Sequence, residues 1–505
     1  MISRLHPSYR ACGMVALLVI AAPLVGCSTY LQTQEHAERI ITNRQRQTAR
    51  LQTSQVRQSP AIESPSKRLP DVESVVSERP VDAYVREALE RNPGIQAAIA
   101  HARAQLERIP QVTSLADPIL RAVTRPEPIQ TAAGDVYFTF SISQTFPLLA
   151  KLERSGDIAA AQTRLALEQL NSKRIQVIAD VERAYWQIYR VDRNLEITRE
   201  NRRVLEDLSH VVETQYEVGD VPQQDLLRVQ TEIAKLRDDE RRLMFQRRTA
   251  AAALNRLADQ AIDRQIPTIN PVNVIAVDSD VDDLIQLAAN HNPELAILNE
   301  SISAKEAQVE LARLGYWPDL TLGFEWNYLE GRDSFVPPIN PSTGQRPAYS
   351  RKSEVGDDNW AVMLQFNLPI WTGRVEAAKR EAHQRLIAAK KEQHDTENMI
   401  AFRVFDAWSR VQAQQHTLRV LDDELIPQSR QTYEVTLTAY QSGKSDFVAL
   451  IDHWRRWLDF ELMRHRETVD LELAFTDLQR EVGMQLLRNE SANNERADSA
   501  KGASQ

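Results

Sequence analysis

Glycine and cysteine are both scarce in this chain, with 15 glycines and 2 cysteines among 505 residues. So few glycines leave few positions for tight turns or close backbone crossings, which suits long uninterrupted helices. Cys12 lies in an N-terminal apolar stretch and only Cys27 follows it, so no disulfide framework can be built. No later segment approaches the ~20 apolar residues that a spanning helix requires, so any crossing of a membrane beyond residue 27 falls to strands. Acids and bases are mixed along the chain and sum to a formal charge of -9, leaving no basic stripe for nucleic acid. The histidines 101, 210, 291, 383, 394, 416, 453 and 465 stand apart, without the close pairs that zinc sites favour. No Gly-x-Ser-x-Gly element occurs. Gly443-Lys444-Ser445 has Thr438 where a phosphate loop needs glycine, and no strand leads into it. Nothing in this inventory points to an enzyme, a metal or a cofactor. What is present, 42% hydrophobic and 26% charged residues at a mean hydropathy of -0.43, fits a large body of long helices with polar faces.

At the N-terminus Arg4, His6 and Arg10 precede an apolar run over 11–22, then Leu24-Val25-Gly26-Cys27. Basic, apolar, then small residues make a secretory signal segment over 1–26. Its ending resembles the bacterial lipobox, which implies cleavage before Cys27 and acylation of the Cys27 sulfur. An ordinary cleavage site, with Cys27 a plain thiol, is the alternative. Residues 27–80 are rich in Gln, Ser, Arg and Thr, with Pro60, Pro65, Pro70 and Pro80, and read as a lipid-anchored, partly disordered tether. The polar tail over 487–505 reads as disordered.

The body repeats itself. Asp82 and Asn92-Pro93 recur 200 residues later as Asp282 and Asn292-Pro293, and Asp117-Pro118 as Trp317-Pro318. Phe146-Pro147 matches Leu368-Pro369, Ala184-Tyr185 matches Ala407-Trp408, and Tyr216-x-x-Gly219 matches Tyr440-x-x-Gly443. The order never breaks, which defines a first repeat over 81–270 and a second over 271–486. Each reads as helix, strand, loop, strand, long helix, turn, long helix. Asn-Pro suits a helix entry, and the helices over 94–115 and 294–316 should stop near Pro118 and Pro318.

Four segments carry strand periodicity. Over 136–146, Phe138, Phe140 and Ile142 alternate with Thr139, Ser141 and Ser143. Over 319–328, Leu320, Leu322, Phe324, Trp326 and Tyr328 alternate with Thr321, Gly323, Glu325 and Asn327. Over 360–368, Trp360, Val362, Leu364, Phe366 and Leu368 alternate with Ala361, Met363, Gln365 and Asn367. A weaker candidate follows Pro118, with Ile119, Arg121 and Val123 on one side. Period two over about ten residues, with aromatics near the ends, is how a membrane strand looks. A soluble antiparallel sheet with one face on a core is the alternative. In lipid, strands must close with no free edge, and single-chain barrels begin at about eight strands. Four strands therefore demand an oligomer: two copies give eight strands with little space inside, three give twelve and room for a water-filled bore, and the pattern itself does not choose between them.

Between 152 and 218 there is no proline and only Gly156 interrupts, which predicts a helix of roughly 100 Å. A partner runs over 223–257, and the second repeat has the same pair over 374–443 and back to 482, with Pro427 expected to kink or break it. Apolar residues spaced by three and four (Val177, Val181, Tyr185, Ile188; Leu450, Trp454, Trp457, Leu458) predict side-by-side coiled packing.

Paired strand hairpins, long helical hairpins, an internal duplication and Tyr-x-x-Gly at each helical turn together resemble the TolC outer-membrane efflux family over about residues 82–484. The resemblance implies a mainly α fold with a membrane β-barrel: four strands per chain, and a homotrimer forming a twelve-stranded barrel over a twelve-helix tunnel. It further implies a passive, non-enzymatic conduit in the outer membrane, without cofactor. A periplasmic adaptor protein and an inner-membrane pump would dock where Gly219 and Gly443 turn the helical hairpins. Asp225 and Tyr440 fall at positions that lock the tunnel shut, and Asp452 where an acidic ring lines the constriction. Ala449 and Ser445 depart from the family pattern, at the other ring position and at the site of a basic lock residue. The competing reading is a lipid-anchored, periplasm-spanning helical scaffold with only a small soluble sheet and no pore.

Overall fold

The computed structural model describes residues 80–131, 133–219, 221–269, 280–331, 339–345, 356–442 and 444–486. The signal over 1–26, Cys27, the tether up to residue 79, Gly443 and the tail over 487–505 lie outside the described residues. The described chain falls into two compact units.

The first unit holds residues 103–165 and 299–391. Its centre is one antiparallel sheet in the order β1 (Ile119–Thr131), β2 (Gly134–Phe146), β3 (Leu320–Glu330), β4 (Asn359–Phe366). The weak candidate after Pro118 is thus a full strand. The register sets Phe140 beside Trp326 and Trp326 beside Trp360, and likewise Ile142 beside Phe324 and Phe324 beside Val362. The polar residues between them (Thr139, Asn327, Asn359) share the opposite face, as the period of two demands. On β4 this apolar face is exposed from end to end. Trp360, Val362, Leu364 and Phe366 are 58%, 60%, 64% and 55% exposed, whereas Thr139 on the polar face is 6% exposed. A soluble sheet would show the reverse. At the sheet's base, Lys151 Nζ donates to the Trp317 carbonyl and to Asp319 Oδ1, both at 2.7 Å. Asn367 closes the same corner by donating to Asp319 Oδ2 at 3.1 Å.

The second unit holds residues 80–102, 166–298 and 392–486 of the described chain and is helical. Short helices α1 (Pro80–Arg91) and α2 (Pro93–Leu106) open the first repeat. Then come α4 (Leu149–Glu217), 69 residues long, and α5 (Gln223–Leu257). The second repeat answers with α6 (Val281–His291), α7 (Pro293–Arg313), α8 (Thr372–Val420), α9 (Ile426–Gln441) and α10 (Phe447–Val482).

The helix expected over 94–115 is broken. α2 stops at Leu106, and a separate short helix α3 (Arg108–Thr113) follows. Pro110 accounts for the break: it has no N–H for the Leu106 carbonyl, and its ring crowds that carbonyl. In the second repeat the corresponding helix runs unbroken to Arg313 and tightens into a 3-10 turn over Leu314–Tyr316. Gly156 does not interrupt α4. A Cβ there would lie 2.7 Å from the Thr113 methyl, so the missing side chain admits α3. Pro427 does break its helix: a π turn (Leu421–Leu425) precedes it, and the proline sits in the first turn of α9, where its missing N–H costs least.

The two Asn-Pro sequences make the same joint twice. Asn92 Oδ1 accepts from the Gly94 N–H (2.9 Å) and Asn92 Nδ2 donates to the Leu257 carbonyl (2.8 Å), the last residue of α5. Asn292 Oδ1 accepts from the Glu294 N–H (2.8 Å) and Asn292 Nδ2 donates to the Glu481 carbonyl (2.6 Å) in the last turn of α10. Each asparagine caps one helix and closes the end of another, and both are buried. Gly483 completes the second joint. It turns at φ +84, and a Cβ there would sit 2.5 Å from the His291 carbonyl oxygen. Asn92→Ala or Asn292→Ala should each cost about 2 kcal/mol, the sum of a lost cap and a lost buried hydrogen bond. Asn92→Ser, which keeps the cap alone, should cost roughly half that. Unfolding midpoints of the detergent-solubilised protein measure both.

Candidate functional site at the helical turns

The turn from α4 to α5 occupies residues 218–222. The Gly219 N–H donates to the Tyr216 carbonyl at 3.0 Å, and Gly219 takes φ +85, a left-handed conformation that suits glycine. Pro222, extended, stands at the entry of α5, and Asp225 lies in that helix's first turn. The turn from α9 to α10 is entered differently: Asp446 caps α10, its Oδ1 accepting from the Ala449 N–H at 2.7 Å. Both turns sit on one apolar cluster that includes Val212, Val229, Ile233, Tyr440, Phe447, Leu450 and Trp454. Trp454 Nε1 also donates to Asn201 Oδ1 of α4 at 3.0 Å, fixing α10 against α4.

Tyr440 is 5% exposed, its ring edge-on to Phe447 at 5.7 Å between centroids. Its hydroxyl has no hydrogen-bond partner among the described residues. Burial pushes that hydroxyl's pKa up to about 12, and the nearby charge of Asp225 adds to the rise. Burial likewise raises the Asp225 carboxyl, with Arg228 opposing and Asp446 reinforcing the shift. The fold therefore brings Asp225 and Tyr440 within electrostatic reach without pairing them. Asp452 stands apart from both, exposed and 3.3 Å from Arg455 of its own helix.

Sequence reasoning missed the ion cluster beside it. Arg455 Nη2 of α10 reaches Glu232 Oε1 of α5 at 2.7 Å, and Lys235 Nζ reaches the same oxygen at 2.8 Å. Glu232 is buried; its burial opposes ionisation, but the hydrogen bonds from Arg455 and Lys235 hold its pKa below the usual range. The signal was readable: an acid among Val229, Ile233 and Leu236, on the core face of α5, needs a cation from the facing helix. Beside this cluster a groove runs between α5 and α10, with Leu227 and Val448 exposed along it. Among the described residues no group of His, Cys, Asp or Glu is placed to hold a metal ion.

A sheet that turns its apolar face outward, joined in one chain to a duplicated set of long helical hairpins, defines a class of outer-membrane channel. The family model described as outer membrane efflux protein matches residues 84–259 and 284–459, two spans set 200 residues apart like the sequence repeats. The chain belongs to the outer membrane efflux protein family, whose members are outer-membrane channels of efflux systems. No curated protein matches the sequence. Among solved structures, the outer-membrane channel OprN is 18% identical over 84% of this chain and 98% of its own, with a TM-score of 0.66. A membrane protein from Pseudomonas aeruginosa is 17% identical over 86% and 98%, with a TM-score of 0.67. The outer membrane protein VceC from Vibrio cholerae is 18% identical over 80% and 96%, with a TM-score of 0.64. At such identities these likenesses are of fold alone.

The tip chemistry has a direct stability test. Tyr440→Phe removes a hydroxyl that is buried without a partner, so the melting temperature should hold or rise. Phe447→Ala should cost about 3 kcal/mol by leaving a cavity under the turn. A carboxyl whose pKa is raised on folding stabilises only below its unfolded pKa and loses that contribution as pH rises. Asp225→Asn should therefore raise the melting temperature at neutral pH and leave it unchanged near pH 3, as a pH series of thermal melts would read.

Proposed function

We propose that the protein is a passive conduit of a tripartite efflux or type I secretion system, closed at its helical turns and driven by a partner pump. The observation that carries this is the sheet's apolar face, exposed on β4 from Trp360 to Phe366, together with outer edges on β1 and β4 that pair with no other strand among the described residues. Apolar surface of that extent favours lipid over water, and in lipid both edges must find partners. Each repeat, 81–270 and 271–486, contributes one strand hairpin and one helical hairpin. Three chains pair β4 of one with β1 of the next and close twelve strands around a bore. A scaffold with a small soluble sheet would leave the same apolar face against water, which disfavours it.

At the opposite end of the reading, Asp225 and Tyr440 hold the turns closed and Asp452 lines the constriction. The shared electrostatic environment of Asp225 and Tyr440 supports their acting together. The groove flanked by Leu227 and Val448, next to the Gly219 and Gly443 turns, is where a periplasmic adaptor docks, and the adaptor links the channel to the inner-membrane pump. Cys27, acylated after cleavage, anchors the chain to outer-membrane lipid.

Single-channel recording in planar bilayers tests the conduit and its closure together. Wild type should show a small, mostly closed conductance that rises in the double variant Asp225→Ala plus Tyr440→Phe. A conducting pore indifferent to those substitutions would keep the channel and remove the lock residues. Folded, inserted protein with no conductance would return the scaffold reading.

A further inference from the structure

The polar face of the sheet carries a continuous hydrogen-bonded chain across all four strands. On β1 the pairing with β2 slips between Thr124 and Ile129, at Arg125-Pro126-Glu127-Pro128. Two prolines without N–H groups make that slip, as prolines do in strands. Arg125 is thereby released from the ladder, and its Nη1 donates to Thr139 Oγ1 on β2 at 2.8 Å. The Thr139 hydroxyl donates to Asn327 Oδ1 on β3 at 2.6 Å. Asn327 Nδ2 then donates to Asn359 Oδ1 on β4 at 2.8 Å and to Glu325 Oε1 at 3.2 Å. The direction is forced, because a guanidinium only donates and a carboxylate only accepts. One register row away, Arg121 of β1 lies beside Ser141 and Ser141 beside Glu325. Arg121, Arg125 and Glu325 thus lie on neighbouring register rows of the sheet, on the face opposite Phe140, Trp326 and Trp360.

We propose that Arg121, Arg125 and Glu325 form a charged belt around the lumen of the barrel, a second selectivity element separate from the helical turns, in which the two arginines favour anionic cargo and Glu325 opposes them. This rests on the barrel reading: if the apolar face meets lipid, the polar face lines the water-filled bore. Three chains then repeat these charges around the bore, with the exposed Glu127 of β1 beside Arg125 in each. Rings of charged side chains select ions by attracting the opposite sign. The Thr139–Asn327 relay holds Arg125 and Glu325 in place and keeps their charges from collapsing into one neutral pair.

The experiment is the reversal potential of single channels under a potassium chloride gradient, recorded in the Asp225→Ala plus Tyr440→Phe background so that the turns do not dominate. Arg125→Gln and Arg121→Gln should each raise the potassium-to-chloride permeability ratio by about twofold, the effect of one screened charge near the ion path. Glu325→Gln should lower it by a similar factor. Arg125→Lys, which keeps the charge and loses the guanidinium fork, should leave the ratio unchanged. Open pores whose ratio ignores all the neutral substitutions would overturn the belt and leave the barrel standing. A shift in Arg125→Lys as large as in Arg125→Gln would overturn it too, because charge would not then be the cause. Absence of any pore in the unsubstituted protein would instead strike the barrel reading, and the belt with it.

Discussion

An apolar sheet face left exposed on β4 has to be covered by something else, and that requirement organises this protein. Val362, Leu364 and Phe366 are as exposed as surface lysines usually are, yet they lie in register with the aromatic residues of β2 and β3. Lipid covers such a face cheaply, but lipid offers no hydrogen bonds, so the free edges of β1 and β4 have to meet. A four-strand sheet cannot meet itself around a lumen. In the proposed barrel, membrane insertion and assembly are one constraint seen twice, and the polar face becomes a lumen wall by the same step.

The helical unit solves a different problem, that of joining long helices at their ends without leaving backbone groups unpaired. Asn92 and Asn292 each do this with one side chain, capping a helix start with the oxygen and a helix end with the amide. Long amphipathic helices supply their own interior hydrogen bonds, and their apolar stripes supply the packing. The ends need specific chemistry, which is why the two Asn-Pro sequences survive duplication while much of the surface between them does not.

Most of this was legible because it is periodic. Alternation by two placed the strands, spacing by three and four placed the helices, and α5 begins and ends where the pattern and its flanking residues set it, at Gln223 and Leu257. What was not legible depends on a neighbour from elsewhere in the chain. Pro110 was a readable break that lay inside a helical-looking stretch rich in Ala and Gln. Glu232 stands on the apolar face of α5, but only the fold shows that its cation is Arg455, 223 residues away. Arg125 sits on the strand most weakly marked in the sequence, and only the slipped pairing shows that its side chain is tied to Thr139. The residues of the turns were named from resemblance; the structure adds that Asp225 and Tyr440 share one electrostatic environment.

The repeats differ most where duplication alone would have made them redundant. After α5 a left-handed position is held by Asp259; after α10 it is held by Gly483, which has the His291 carbonyl pressed against it. One long turn enters its helix through Pro222, the other through the Asp446 cap, and only the second of these adds a charge that raises the Asp225 carboxyl. On the sheet, β1 carries the slipped, proline-bearing segment while its counterpart β3 runs without such a slip against β4. A symmetric duplication would present identical halves to every partner. Divergence at turns, strand edges and helix breaks leaves the shared packing intact, because buried periodic positions are costly to change, whereas a turn or an edge can be altered at little cost in stability. The two halves of each chain are thereby free to do unequal work at both ends of the conduit while resting on the same pair of asparagine joints.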